Sequence, residues 1–162
     1  MSMPEQKPGS SRQDWQTPPE FLDAVRMRLL IDEFILDAAA TDANTVSGRW
    51  LTPEIDGLSQ PWSFDHDPGW TWCNPPYSNL ELWTAKAVAE AKQGANVAML
   101  VPASVGANWW RDNVDPYAYK IFLNGRITFV GADAPYPKDC ALLLYVPWVA
   151  KGWSTWSWRE NE

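Results

Sequence analysis

The apolar run Trp70-Thr71-Trp72-Cys73 is followed at once by Asn74-Pro75-Pro76-Tyr77, and this junction restricts the folds open to the chain. Aromatic and β-branched residues in a short run favour a buried β-strand. Pro has no amide hydrogen to donate to a neighbouring strand, so the strand has to end at Cys73. The junction therefore predicts a buried strand that leads directly into a rigid polar turn.

Helix-start signals occur on both sides of this strand. Thr17-Pro18-Pro19-Glu20 has a Thr cap, Pro at the first helical position and Glu to close a capping box, and this helix is expected to run to about Leu30. Ser78 with Glu81 repeats the capping-box pattern, and the apolar spacing that follows predicts a helix that stops at Gly94.

Further apolar runs complete an alternation of strands and helices. The predicted strands cover residues 34–37, 70–73, 97–101, 119–123, 127–130 and 140–146, with a short helix over 109–114. This order predicts an α/β fold, a single-domain sandwich with a mainly parallel sheet and antiparallel closing strands. Residues 153–158 alternate aromatic and polar side chains, which favours an extra edge strand over a sticky tail.

Residues 38–69 are predicted to form a brief helix or turn and then a long loop, because small residues, Asp and Pro dominate there. Loops of that length in compact domains tend to be functional. The short interval between Asp37 and Asn74 leaves little room for a complete strand-helix unit, so one such unit is expected to be reduced or lost.

The length of 162 residues suits one domain. Residues 1–13 lack apolar periodicity and are expected to form a flexible arm, residues 14–150 the domain, and residues 151–162 a Trp-rich tail. No apolar run approaches the ~18 residues of a membrane span, so we expect a soluble, cytoplasmic protein. Cys73, Cys140 and the single His66 are too few for a structural metal site.

The chain is acidic, with a net charge of −7 at pH 7. Because phosphate attraction needs a basic surface, this balance argues against a passive nucleic-acid coat and requires any DNA contact to be local. Candidates for a basic patch are Arg111, Lys120, Arg126 and Lys138, with scattered surface charge as the alternative. The 12 tryptophans exceed the needs of a small core, so some are expected to stack on bases or to form a homodimer contact through the tail.

The turn after Cys73 has the clearest chemical meaning. An aromatic amine such as that of adenine is a poor nucleophile because its lone pair is delocalised into the ring. The Asn74 side-chain oxygen and the Pro75 carbonyl can accept both amine hydrogens and direct the lone pair at a methyl donor, without metal or covalent intermediate. Tyr77 offers a ring on which an extruded base could stack. The alternative is an ordinary strand-ending turn.

Asp37 ends another predicted strand. Strand-final carboxylates in open α/β sheets lie at the crevice where ligands bind, so Asp37 is a candidate contact for the cationic end or a hydroxyl of a cofactor. Its alternative role is to cap the turn that follows.

Five motifs occur in an order that resembles the phage DNA N-6-adenine-methyltransferase family. They are Trp15-x-Thr-Pro-Pro-Glu, Leu36-Asp37-Ala38-Ala39-Ala40, Trp72-Cys73-Asn74-Pro75-Pro76-Tyr77, Leu100-Val101-Pro102-Ala103 and Gly125-Arg126-Ile127-Thr128-Phe129. The resemblance extends from about Asp14 to Val146. It implies a Rossmann-like methyltransferase fold, S-adenosylmethionine as cofactor and adenine in DNA as acceptor.

The resemblance also implies roles for individual residues. The matching catalytic positions are Asn74, Pro75, Pro76 and Tyr77. The matching cofactor positions are Asp37, Ala38, Ala39 and Asn74, together with Trp15, Thr17 and Pro18 in the segment that resembles one closing over the cofactor's amino-acid portion. The positive N-terminus of the helix after Pro18 would suit the cofactor carboxylate.

Two features depart from the wider methyltransferase pattern. No Gly-x-Gly follows Asp37, and the acid for the ribose hydroxyls is either Asp56 or Asp42, with Asp56 favoured because its loop should overhang the same crevice. No separate target-recognition domain fits the length, so sequence choice is expected from loops 104–110 and 132–138 or from a second subunit. The candidate DNA contacts are Ser104, Trp109, Arg111, Arg126 and Lys138.

Other functions fit part of this pattern. The exocyclic amine of cytosine, or a glutamine amide in a protein, presents the same two N–H groups to Asn74 and Pro75. A non-catalytic Trp-rich module for glycans or single-stranded nucleic acid is a further alternative, and it leaves the ordered motifs unexplained.

Overall fold

A computed structural model describes residues 15–148 and 151–159, arranged as a six-stranded sheet with helices on both faces. The helices are α1 (Pro19–Leu29), α2 (Leu80–Lys92), which follows a 3₁₀ turn at Tyr77–Asn79, and α3 (Asn108–Asn113). The strands are β1 (Leu36–Asp37), β2 (Trp70–Cys73), β3 (Asn96–Pro102), β4 (Tyr119–Asn124), β5 (Cys140–Tyr145) and β6 (Trp153–Ser157). The predicted arm over residues 1–13 and the last residues of the tail, 160–162, lie outside the described residues.

The strands lie in the order β1-β2-β3-β5-β4-β6. β1, β2 and β3 are parallel neighbours, β5 is antiparallel to both β3 and β4, and β6 is parallel to β4. The predicted α/β fold with a mainly parallel sheet is therefore confirmed. The prediction of antiparallel closing strands holds only for β5, which lies between β3 and β4, because the edge strand β6 is parallel to β4. The C-terminal ends of β1, β2, β3 and β4 all emerge at one edge of the sheet, called the carboxyl edge below.

The residues of β3 show how both faces of the sheet are covered. Val97, Met99 and Val101 belong to the core packed by α2 and α3, whereas Ala98 and Leu100 belong to the core packed by α1. All of them are fully buried, which explains why this strand is a continuous apolar run rather than an alternating one. The result is a three-layer α/β/α sandwich with a core on each side of the sheet.

Both helices with predicted capping boxes are present, but the capping boxes themselves are wrong. The N-cap of α1 is Pro18, not Thr17, and the N-cap of α2 is Asn79, not Ser78; within the described chain neither N-cap makes a side-chain capping hydrogen bond. The Thr17 hydroxyl accepts a hydrogen bond from Asn74 instead. The 3₁₀ turn shifts the start of α2 beyond Ser78.

The predicted strand over residues 127–130 is wrong, because this fully described segment has no strand pairing. The chain leaves β4 at Gly125, whose φ of +102° favours glycine. It then crosses to the α1 side, where Ile127 and Phe129 are buried and the Val130 amide donates to the Gln16 carbonyl. These apolar residues fill a core instead of extending the sheet.

The Trp-rich tail forms the predicted edge strand. β6 pairs with β4, and its side chains alternate between exposed and half-buried positions. β1 is shorter than the predicted strand over 34–37, and the remaining strands and α3 closely match the ranges expected from sequence.

Of the brief helix or turn expected at the start of residues 38–69, the structure has the turn. The described segment continues as a long loop with further turns and two isolated bridges, Asp37–Trp50 and Phe64–Asp67. Trp62 holds the loop against α2, because its backbone amide donates to the Glu90 carboxylate at 2.9 Å and its side chain is fully buried. None of the helices in the described ranges is long and apolar enough to cross a membrane.

Candidate active site

β1 and β2 end side by side at the carboxyl edge. The two strands are parallel, and Asp37 at the end of β1 pairs in register with Trp72, two residues before Asn74. The fold therefore brings Asp37 and Asn74 to the same edge and to adjacent strands, although they lie far apart in the sequence.

Asn74 is held in one orientation by the segment that precedes α1. Its amide nitrogen donates to the Trp15 carbonyl at 2.9 Å and to the Thr17 hydroxyl at 3.1 Å. Both amide hydrogens are engaged, so the side-chain oxygen points away from this segment and is left as an acceptor. Thr17 is only 4% exposed, which keeps water from competing for the contact.

A cavity of about 430 Å³ opens beside Asn74, between the long loop and the start of α2. The lining comprises Trp15, then Ala39, Ala40, Thr41, Asn44, Leu51, Thr52, Pro53, Asp56 and Gly57 of the loop, and Asn74, Pro76, Ser78, Asn79 and Trp83 around α2. A cavity of this volume, with apolar walls and a few polar groups, is typical of a site for a small organic ligand or cofactor.

Asp37 lies behind the wall of this cavity rather than in its lining. Its carboxylate accepts hydrogen bonds from the Val46 amide at 3.1 Å and from the Ala39 amide at 3.3 Å. Burial raises the pKa of Asp37 to about 6, against the opposing effect of these two hydrogen bonds. The carboxylate thus fixes the path of the loop, and a direct contact with a cofactor stays a prediction.

The two acids proposed for a ribose lie in different places. Asp56 lines the cavity in a left-handed backbone conformation, with φ of 60°, and its carboxylate accepts from the Leu58 amide at 3.2 Å. Asp42 accepts from the Trp50 indole at 2.9 Å and lines a separate surface hollow. Only Asp56 is therefore placed at the cavity.

Three polar residues that the long loop contributes to the lining were not identified from the sequence. Thr41, Asn44 and Thr52 all face the cavity, and the Asn44 side-chain oxygen accepts from the Thr41 amide at 2.7 Å. Their only sequence signal is their place in the loop that follows Asp37.

Gly57 is a further residue that the sequence did not reveal. A β-carbon at this position would lie 2.3 Å from the Ala38 carbonyl oxygen and 3.1 Å from the Trp83 ring. The Gly57 carbonyl accepts from the Trp62 indole at 2.8 Å. Gly57 thus lets the loop lie directly against Ala38. Of the two alanines predicted to contact a cofactor, Ala39 lines the cavity, whereas Ala38 is fully buried and does not.

Tyr77 packs into an aromatic cluster and is not among the residues that line the cavity. Its ring meets Phe129 and Tyr136 edge-on, with ring centroids 6.3 Å and 5.6 Å apart. Its hydroxyl is buried with no hydrogen-bond partner among the described residues, and burial raises its pKa. A role for the Tyr77 ring in stacking on a base stays a prediction.

Three of the predicted DNA contacts lie at the carboxyl edge. Arg126 follows β4 and Lys138 precedes β5. Ser104 lies in the loop after β3. A hydrogen bond from the Ala103 amide to the Asp139 carbonyl, at 2.8 Å, joins this loop to the segment that precedes β5. These three residues therefore share one side of the molecule with Asn74.

The two other predicted DNA contacts lie in α3, and the remaining candidate for a basic patch, Lys120, is buried. Trp109 and Arg111 are in α3, which packs beside α2, and Arg111 pairs with Asp112 at 2.7 Å. The inclusion of Lys120 in a basic patch is wrong. Its side chain is buried at the start of β4, at the opposite edge of the sheet, and its ammonium group pairs with the Asp115 carboxylate at 3.3 Å.

Comparison with known proteins identifies related chains. A family profile described as DNA N-6-adenine-methyltransferase (Dam) matches residues 5–151. A DNA N-6-adenine-methyltransferase of Escherichia phage T1 is 27% identical over 121 residues, which is 75% of this chain and 49% of the relative. One of Haemophilus phage HP1 (strain HP1c1) is 28% identical over 109 residues, 66% of this chain and 61% of the relative. The chain thus spans about half to three-fifths of the length of these two relatives.

Proposed function

This chain belongs to the DNA N-6-adenine-methyltransferase (Dam) family, and we propose that it transfers a methyl group from S-adenosylmethionine to the exocyclic amine of adenine in DNA. The observation that carries the proposal is the setting of Asn74. Its amide is held by Trp15 and Thr17, and its oxygen is left as an acceptor at the edge of a ligand-sized cavity. The two phage relatives bear the name of the same activity.

The sheet supports assignment to the Rossmann-like methyltransferases. In open α/β sheets, ligands bind at the C-terminal ends of the strands, and the cavity lies at the carboxyl edge beside β1 and β2. Residues 38–69 follow β1 without a helix, so we regard a strand-helix unit of the larger fold as lost from this chain.

The cavity fits S-adenosylmethionine in size and chemistry. One wall of the cavity is apolar and suits a nucleoside base; it is formed by Trp83, Leu51 and Pro53. Asp56 offers a carboxylate to the ribose hydroxyls. Trp15 completes the lining just before α1. The positive end of the α1 dipole is therefore close enough to favour the carboxylate of the cofactor.

Asn74 and Pro75 hold the adenine amine in this mechanism. One amine hydrogen is donated to the Asn74 side-chain oxygen and the other to the Pro75 carbonyl, so the nitrogen lone pair turns out of ring conjugation. Held by the cavity residues, S-adenosylmethionine would supply a methyl group from its positively charged sulfur, so that an N–C bond would form on the amine as the S–C bond broke. The surplus amine proton leaves to water. Because Asn74 is already oriented, little reorganisation is needed at the moment of transfer.

The target base has to leave the DNA stack to reach Asn74. Tyr77 is the proposed stacking surface, and its edge-on contact with Tyr136 has to open before a base can lie against it. Tyr136 belongs to the loop between β4 and β5, whose residues 133–135 and 137–139 are exposed, so this opening disturbs little of the core.

Incubation of the purified protein with unmethylated DNA and methyl-labelled S-adenosylmethionine tests the proposed activity. We expect the label in DNA, released on digestion as N6-methyladenine. Label in N4-methylcytosine or in methylglutamine would show that the acceptor is the cytosine amine or a glutamine amide, which present the same two N–H groups to Asn74 and Pro75. Absence of label in every product, together with no calorimetric binding of S-adenosylmethionine, would favour the non-catalytic binding module.

The Gly57→Ala variant should bind S-adenosylmethionine about tenfold more weakly than the wild type. A β-carbon that meets a backbone oxygen at 2.3 Å forces the loop outward, and overpacking of this kind costs about 1–3 kcal/mol. Isothermal titration calorimetry measures the affinity. Gly48→Ala is the matched control, because a β-carbon there has nothing within 4 Å. Equal affinities for Gly57→Ala and the wild type would show that this loop does not form the cofactor site.

A further inference from the structure

The turn after β4 carries an exposed arginine at the carboxyl edge. β4 runs in the same direction as β1, β2 and β3, so Gly125 and Arg126 emerge on the side of the molecule where Asn74 lies. The side chain of Arg126 is 53% exposed, and its guanidinium lies 3.3 Å from the Asp139 carboxylate. This single exposed ion pair is a weak contact.

The C-terminal tail brings a second arginine to the same place. Trp158 is buried, and its indole donates to the Gly125 carbonyl at 2.8 Å. Arg159 lies over the Trp158 ring, 4.3 Å from the ring centroid, and donates to the Arg126 carbonyl at 3.2 Å. Two fixed contacts therefore hold Arg159 next to Arg126, although the two residues are far apart in the sequence.

The charge at this point is unusual for the molecule. The Arg126 guanidinium is paired with the Asp139 carboxylate, and the Arg159 guanidinium is bonded to the backbone carbonyl of Arg126, while the chain as a whole carries −7. Among the described residues, Arg159 has no carboxylate partner. Paired arginines with donors left over are the groups that best recognise phosphate oxygens. An acidic protein needs such local positive charge to approach DNA.

The segment that begins with Arg126 leads directly to the active site. Phe129 stacks on Trp15 with ring centroids 5.6 Å apart and meets the Tyr77 ring at 6.3 Å. Three residues of even fully extended chain span at most about 11 Å. The arginine pair therefore lies close enough to the proposed base site to meet the phosphates that flank an extruded nucleotide.

We propose that Arg126 and Arg159 form a clamp for DNA phosphates beside the target base, and that the role of the tail after β6 is to deliver Arg159 to this clamp. The clamp rests on the proposed DNA methyltransferase function. It positions the DNA strand without reading its sequence, because phosphate contacts carry no direct sequence information.

Fluorescence anisotropy with a short labelled DNA duplex, over a series of salt concentrations and with S-adenosylhomocysteine present, tests the clamp. Arg159→Gln should weaken binding about five- to tenfold near 0.1 M salt and should lower the slope of log affinity against log salt by about 0.9. The loss should be the same for duplexes of different sequence. Asp139→Asn should have the opposite effect and tighten binding, because it removes the carboxylate that competes with phosphate for Arg126.

Arg28→Gln is the matched control. Arg28 also lies over a tail tryptophan, 4.9 Å from the centroid of Trp156, but it belongs to the last turn of α1 rather than to the turn after β4. Its salt slope should equal that of the wild type. The clamp is overturned if the salt slope of Arg159→Gln equals that of the wild type, or if Arg28→Gln loses as much DNA affinity as Arg159→Gln. Either result overturns the clamp even when the wild type methylates DNA. No DNA binding by the wild type overturns the clamp, and absence of methylated adenine in the transfer assay separately overturns the proposed function.

Discussion

Asn74→Ala should lower kcat for methyl transfer by about 10²–10³-fold, with much less change in the affinity for DNA. The variant loses the oxygen that accepts one amine hydrogen, and removing one pre-oriented hydrogen-bonding group from a reacting centre typically costs this much. Single-turnover transfer of labelled methyl groups measures the effect directly. A transfer rate equal to that of the wild type would show that the turn after β2 does not activate the amine.

Two further variants separate catalysis from packing at this position. Thr17→Val keeps the Asn74 oxygen and removes one acceptor of its amide, so we expect a smaller loss, about threefold to tenfold, from weaker orientation. Asn96→Ala is the control, because this asparagine lies at the start of β3, at the opposite edge of the sheet. Its transfer rate should match the wild type. A Thr17→Val loss as large as that of Asn74→Ala would mean that the segment before α1, and not the Asn74 oxygen, is essential.

Asp37→Asn should remove a dependence of stability on pH that amounts to about 3 kcal/mol. Burial raises the pKa of Asp37 from 3.8 to about 6 in the folded protein. The folded state therefore holds a proton that the unfolded state has released between these two pH values. The contribution of this group to stability is fully present below pH 4 and is lost as the pH rises through 6.

Chemical denaturation at several pH values checks this prediction. The wild-type free energy of unfolding, relative to that of Asp37→Asn, should fall as the pH rises from 4 to 6 and should then stay level. Asn has nearly the same shape as Asp and keeps one acceptor for the Val46 or Ala39 amide, so the variant should fold. Parallel curves for the two proteins would show that the Asp37 carboxylate is not buried in the folded state.

The sequence was sufficient where the controlling interactions are local. Pro75 and Pro76 end β2 whatever the rest of the chain does, because they have no amide hydrogen to donate to a neighbouring strand. The apolar runs of β3 and β5 are long enough to predict buried strands. The alternation of aromatic and polar residues in β6 predicted an edge strand, and this prediction is confirmed. These features together predicted the α/β fold and the position of Asn74 at the end of a strand.

Residues that depend on distant partners were not predictable in this way. The pattern of Thr17 is that of a helix cap, yet its hydroxyl is used by Asn74, 57 residues away. Residues 127–130 resemble a strand, but the turn at Gly125 takes them into the α1 core. Lys120 is a surface residue by type, yet its side chain is buried, and its ammonium group donates to the Asp115 carbonyl and pairs with the Asp115 carboxylate.

The cavity shows the same limit. Gly57 has no neighbour in the sequence that reveals its contact with Ala38, since the contact depends on how a long loop lies against the end of β1. Asp37 was correctly placed at the carboxyl edge. Its hydrogen bonds to Val46 and Ala39 are not visible in a sequence pattern, so its structural role became clear only from the folded chain.

The hydrogen bonds from Asn74 to residues 15 and 17 link the orientation of the proposed catalytic amide to one wall of the cavity. Trp15 both lines the cavity and accepts a hydrogen bond from the amide. Under the proposed function, a change in this wall would therefore also change the direction of the Asn74 oxygen, so that cofactor binding and amine activation would depend on the same few residues.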